Sequence, residues 1–196
     1  NDGVRLEVGS IDAGTVSFLS PVNGLTTIGG DEVSLTGQSS ADTTFSNVFD
    51  LSGWTAGLAT VNGGTSTDDT IIGPNVNSLW NVSGSDSGSV NGSSITWQEV
   101  ENLTGGAADD QFVVATGVTV AGTIDGGFGG LDTIDFSNVV SAQSIVLTSL
   151  GLGYNGTATN LTGGFINING VTGTILNDSL TNSVVDGGAN PVVGTF

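Results

Sequence analysis

Cysteine, methionine and histidine are absent from this chain, and Arg5 is its single basic residue against nineteen acids. Each absence removes a class of chemistry. Without cysteine there is no disulfide and no thiolate. Without histidine or lysine there is no imidazole or ammonium to set beside a carboxylate, the usual need of a lyase or hydrolase. A net charge of −18 leaves nothing to neutralise phosphates, which argues against nucleic acid and against anionic membrane surfaces. Metal cations are the natural counterions. No apolar run approaches the roughly 18 residues of a membrane helix, so no membrane insertion is expected. Good helix formers are thin as well, since glutamate is scarce and glycine takes 33 positions.

What remains is strand and turn material. Val, Ile, Thr and Phe recur in short runs separated by Gly, Asn, Asp and Ser, the punctuation of strands and tight turns. A hydrophobic share of 37% argues against disorder.

The stretch from Asn102 to Asn138 organises the chain. Gly105-Gly106 leads to Asp109-Asp110 and then Phe112-Val113; Gly126-Gly127 leads to Asp132 and then Ile134. The two glycine pairs lie 21 residues apart, about one coil of a parallel β-helix and within the periods that mark repeat stacks. The unit reads as a corner, an acidic loop and a strand. Val61-Asn-Gly-Gly-Thr-Ser-Thr-Asp-Asp-Thr-Ile-Ile72 is a further copy, and Ile28-Gly-Gly-Asp31 a degraded one. Asn160-Leu-Thr-Gly-Gly164 repeats Asn102-Leu-Thr-Gly-Gly106 letter for letter but has lost its aspartates. Gly122-Thr-Ile-Asp125 returns as Gly173-Thr-Ile-Leu176, and Phe45-Ser-Asn-Val48 as Phe136-Ser-Asn-Val139. Asn-Gly follows Val or Ile at 22, 61, 90 and 168. Such a pair closes either a two-residue hairpin or a corner between stacked strands. The chain opens at Asn1 with no leader visible, and the tail Asp186–Phe196 looks like the start of another unit. A segment of a longer protein is therefore expected.

These residues resemble the glycine/aspartate repeats of large secreted bacterial surface proteins, a group with repeats-in-toxin blocks and filamentous-haemagglutinin-like β-solenoids. Gly105-Gly-Ala-Ala-Asp-Asp-Gln-Phe-Val113 matches the family nonapeptide G-G-x-G-x-D-x-U-x except that Ala108 replaces its third glycine. Gly126-Gly-Phe-Gly-Gly-Leu-Asp-Thr-Ile134 keeps that glycine and inserts one residue before Asp132. The resemblance covers under half the chain, and its copies are isolated where the family's are tandem. It implies a β-solenoid and, where copies stack, calcium shared between neighbouring turns.

Calcium takes roughly six to eight hard oxygens. Asp68, Asp69, Asp109, Asp110, Asp125 and Asp132, with Asp135, are the candidates to supply them; the bland alternative is that these residues solvate turns. Glu99 and Glu101, two apart, would share a face on a strand, and paired carboxylates can cleave glycosides. With no basic partner nearby they read better as a solvated edge. Trp54, Trp80, Trp97 and Tyr154 form either a sugar-stacking platform or part of the core. Glycosylation sequons occur at Asn81, Asn91, Asn102, Asn155, Asn160 and Asn177.

The expectation is an all-β chain in which residues 1–196 form one elongated β-solenoid, a right-handed parallel β-helix, with a bacterial immunoglobulin-like sandwich as the alternative. It is expected to be non-catalytic and structural: an extracellular module of a cell-surface fibre or adhesin that meets its own copies, or adjacent modules, head to tail. The alternatives are a calcium-dependent carbohydrate-binding module contacting surface glycans and a polysaccharide-degrading β-helix enzyme.

Overall fold

A computed structural model describes residues 5–11, 14–17, 32–37, 46–54, 57–65, 67–92, 94–183 and 194–195. The expected turn at 21–24, the degraded corner at 28–31 and the tail from 186 lie largely outside these residues. Every regular element among them is a strand. Among the described residues no helix is long and apolar enough to cross a membrane.

The first strands are β1 (Arg5–Ile11), β2 (Gly14–Ser17), β3 (Glu32–Gly37), β4 (Asn47–Asp50), β5 (Leu58–Asn62) and β6 (Thr70–Ile72). They are followed by β7 (Ser78–Gly84), β8 (Ser87–Val90), β9 (Ile95–Gln98), β10 (Asn102–Thr104), β11 (Asp110–Val114) and β12 (Ile124–Asp125). The rest are β13 (Thr133–Asp135), β14 (Ser144–Leu150), β15 (Tyr154–Ala158), β16 (Leu161–Ile168), β17 (Gly170–Thr172), β18 (Ser179–Asn182) and β19 (Gly194–Thr195).

The chain crosses back and forth between two open sheets. One holds ten strands in the order β1-β3-β5-β9-β8-β7-β11-β13-β17-β19; the other holds nine, β18-β14-β15-β16-β12-β10-β6-β4-β2. Pairing is parallel except within two antiparallel meanders, β7-β8-β9 in the larger sheet and β14-β15-β16 in the smaller. An immunoglobulin-like sandwich pairs its strands antiparallel throughout. The 21-residue spacing is a true stacking distance, because Leu103 pairs with Ile124 and Thr104 with Asp125.

Alternation along short strands explains the core. Successive side chains on a strand point to opposite faces, and parallel in-register pairing aligns the inward ones into columns. In the smaller sheet Phe49, Ile71, Leu103, Ile124 and Phe165 are partners in succession. In the larger sheet Trp80, Phe112, Ile134 and Val171 are. Both columns belong to one apolar cluster between the sheets, and all but Val171 are essentially buried. Each such side chain contributes about 1.5–3 kcal/mol on burial. Trp80 stacks on Phe112 at 5.2 Å and meets Trp97 at 5.5 Å, so both tryptophans are core residues. The four-aromatic sugar platform does not form: Trp54 and Tyr154 are the half-buried pair, packed against the cluster's margin.

The Asn-Gly pairs divide. Asn91-Gly92, both at positive φ, close the β8–β9 hairpin, whereas Asn62-Gly63 and Asn169-Gly170 lie where the chain passes from one sheet to the other. The pair at 23 lies outside the described residues.

Candidate functional site: two acidic corners

Wherever the chain leaves one sheet for the other it makes a corner, and the acidic residues gather there. The residue two places before a column side chain shares that side chain's inward face. Asp69 stands so before Ile71, Glu101 before Leu103, Asp110 before Phe112 and Asp132 before Ile134. That position forces a carboxylate inward at the mouth of each of these four strands.

At the corners that lead into the smaller sheet, Asp69 is fully buried. Its Oδ1 accepts the Asn47 backbone N–H at 2.6 Å and the Asn47 side-chain amide at 2.9 Å. Its own N–H donates to Glu101 Oε2 at 2.8 Å. Farther along the same edge the Gln143 N–H donates to Asp178 Oδ1. Asp68 is exposed and accepts from the Asn102 amide at 2.9 Å.

At the opposite corners, leading into the larger sheet, Asp110 Oδ2 accepts the Gly106 N–H at 2.7 Å and Oδ1 the indole N–H of Trp80 at 3.2 Å. The Asp110 N–H donates to Asp132 Oδ1 at 2.9 Å, and the Asp132 N–H to Asn169 Oδ1 at 2.8 Å. Asp125 accepts from Gly127 N–H and from the Asn167 amide. Asp109, exposed, accepts the Leu131 N–H. The corners stack so closely that a methyl on Gly106 would lie 1.9 Å from the Pro74 carbonyl oxygen. This, as much as conformational freedom, is why the glycine pair stands there.

The six candidate cation ligands therefore split. Asp109, Asp110, Asp125 and Asp132 share one edge; Asp68 and Asp69 lie on the other. Of the buried three, Asp69 and Asp132 hold backbone amides of the adjacent strand and Asp110 holds the Gly106 amide of its own corner, while Asp68 and Asp109 face solvent. Asp135 accepts the Ser137 N–H in a local turn. Among the described residues no three of Asp, Glu, Cys or His are gathered so as to hold a metal ion.

Burial pushes Asp110 up to about 6, although the Gly106 and Trp80 hydrogen bonds pull the other way. Burial, with the Asp110, Asp109 and Asp125 charges adding to it against the Asp110 amide's hydrogen bond, pushes Asp132 up to about 7. Asp69 and Glu101 are raised too, burial being the main cause.

Glu99 and Glu101 do not share a strand face. Both sit in a corner after β9; Glu99 is exposed at φ 55°, while Glu101 turns inward onto the Asp69 amide. Sequence reading missed Glu101, Asn47 and Asn169 as members of the corner ladders, yet the signal was present in their spacing from the column residues. Of the sequons, Asn160 is buried with its amide on the Val118 carbonyl, and the side chains of Asn91, Asn102 and Asn155 are hydrogen-bonded within the protein. A half-open cleft of about 230 Å³ lies beside Trp54, between Pro74, Val76, Asn91 and Ile95.

No protein-family model, curated protein or solved structure matches this chain.

Proposed function

We propose that this chain is a β-solenoid that works as structure: a non-catalytic module of an extracellular bacterial fibre or adhesin, meeting its own copies or neighbouring modules end to end. The observation that carries the reading is the order of the strands. Outside the two meanders each passage of the chain adds one strand to each sheet, parallel to the one before, so both sheets grow in the same direction. The described sheets stop together, with β1 and β2 at one end and β18 and β19 at the other. Unpaired strand edges template further pairing. Contact between unlike ends does not close on itself and so makes a filament.

The acidic surface supports the same role by keeping such a stack soluble. At physiological salt the Debye length is about 8 Å, so repulsion between copies slows end-to-end contact without preventing it. Electron microscopy of purified protein at high concentration and high salt tests the proposal. Thin filaments with an axial repeat set by this unit are the expected result. Discrete monomers under those conditions would end it.

A further inference from the structure

The two corner ladders are made almost wholly of acceptors. Asp69 faces Asp68 and Glu101; Glu101 faces Asp69 and Asp86. Asp110 faces Asp109 and Asp132, and Asp132 faces Asp110, Asp109 and Asp125. None of these interactions involves a cation, and the chain has only Arg5 to offer. At the Asp69 corner two fully buried oxygens, Asp69 Oδ2 and Asn47 Oδ1, have no hydrogen-bond donor. The carbonyl oxygen of Glu99 and Asp69 Oδ2 both crowd the point beside Gly63 where a Cβ would sit. A buried acceptor left without a donor is destabilising, because it has lost its hydrogen bonds to water and gained none. A proton on Asp69 Oδ2 turns one acceptor into a donor with acceptors beside it.

We propose that the corners form a proton-operated clasp, in which Asp69, Glu101, Asp110 and Asp132 take up protons on mild acidification and the stacked strands are held more tightly as they do. The sign follows from linkage. A carboxyl raised by folding binds more protons folded than unfolded, so its stabilising contribution is complete below the unfolded value and is lost as pH climbs through the folded one. For Asp110 that window runs from 3.8 to about 6 and for Asp132 from 3.8 to about 7. The contribution of these groups should therefore be greatest below about pH 4, still large at pH 5 and lost above pH 7. That is the reverse of a protein whose carboxylates are salt-bridged.

The test is urea unfolding of the intact chain in EDTA at pH 5 and pH 8, repeated in 0.5 M salt. The folding equilibrium constant is expected to rise about tenfold or more from pH 8 to pH 5, since each unit of pKa shift is worth a factor of ten. Because buried groups are poorly screened, the rise should survive the salt, whereas relief of surface repulsion would not. Asp110→Asn with Asp132→Asn should flatten the pH dependence; Asp68→Asn with Asp109→Asn, both exposed, should weaken it much less, because burial and not their charge is the main cause of the rise. If the buried double variant does not fold, carboxyl NMR titration of the parent protein takes its place, with at least two aspartates expected to titrate above pH 5.5. Equal or lower stability at pH 5, a slope abolished by salt, or no aspartate titrating above the ordinary range would overturn the proposal.

Discussion

The two antiparallel meanders solve one problem with different materials. Each inserts a three-stranded zigzag where the stack otherwise has one strand. Three is the number that works, because an odd count returns the chain in its original direction. Thus β9 runs parallel to β5 while β7 runs parallel to β11, and β16 parallel to β12 while β14 runs parallel to β18. Each insertion adds two extra strands, about 10 Å of sheet at the usual spacing. One lies in each sheet, so the sheets finish nearly level, at ten and nine strands. A single meander would leave one sheet longer and oblige the stack to bend.

Both meanders place a glycine of the middle strand against an aromatic ring of the third. Gly88 is paired with Trp97, and a methyl there would come within 2.4 Å of the indole. Gly156 is paired with Phe165, and a methyl would come within 2.7 Å of that ring. They differ in what surrounds the ring. The first meander has Trp80 packed on both Trp97 and Phe112 and an unbroken β8–β9 register. The second has only the half-buried Tyr154 besides Phe165, shifted registers on both sides of β15, and a tip with Leu150 and Leu152 in solvent. The first is a piece of core, the second a looser patch.

The largest effect should come from removing the rings. Trp80→Ala is expected to cost about 3–5 kcal/mol, the range for aromatic-to-alanine changes in a core. It should exceed Phe165→Ala, because it also strips the indole donor from Asp110. Urea midpoints measure both, and a larger loss at Phe165 would invert the comparison.

Next come the glycines. Gly88→Ala and Gly156→Ala should each cost about 1–3 kcal/mol by overpacking, since each new methyl also meets a backbone carbonyl oxygen at 2.3 Å, of Asn81 and Val146 respectively. Thermal melts of the two variants should fall together. One unharmed variant would show that its ring has room to move.

Smallest are the tips. Asn91 sits at φ 51° and its Oδ1 accepts the Leu79 N–H, so Asn91→Ala should cost about 1 kcal/mol. Leu152→Ser should stay within about 0.5 kcal/mol, as exposed substitutions do. Local hydrogen exchange should show the second tip opening more readily than the first; the opposite order would erase the distinction.

Much of this architecture was legible in advance, and the corner ladders show where legibility stopped. The glycine pairs, the β-rich composition and the 21-residue spacing pointed to stacked strands, and Leu103 against Ile124 bears out the spacing. Composition also put the acids at the corners. It could not say that Asp69, Asp110 and Asp132 turn inward while Asp68 and Asp109 turn out, because that depends on which residue begins the strand. A shift of one position exchanges every face.

Identical words in this chain met different fates, and they mark the boundary between sequence and tertiary structure. Strand propensity, the absence of helix and the turn at a glycine pair are local properties, settled by backbone sterics and side-chain type within a few residues. Asn102-Leu-Thr-Gly-Gly106 turns a corner, because the stacked Pro74 and Gly126 backbones leave only hydrogen-sized gaps at its glycines. The same five letters at Asn160–Gly164 stay within one sheet, leading into β16 and bulging against β15 with Gly164 at φ 82°. Ile124 is fully buried and Ile175 is 92% exposed, although each follows Gly-Thr. Ile124 has Leu103 and Phe165 as partners on either side, while Ile175 stands in the bend after β17. A five-residue motif carries propensities for its own backbone, and the strand that arrives beside it decides which of them is used.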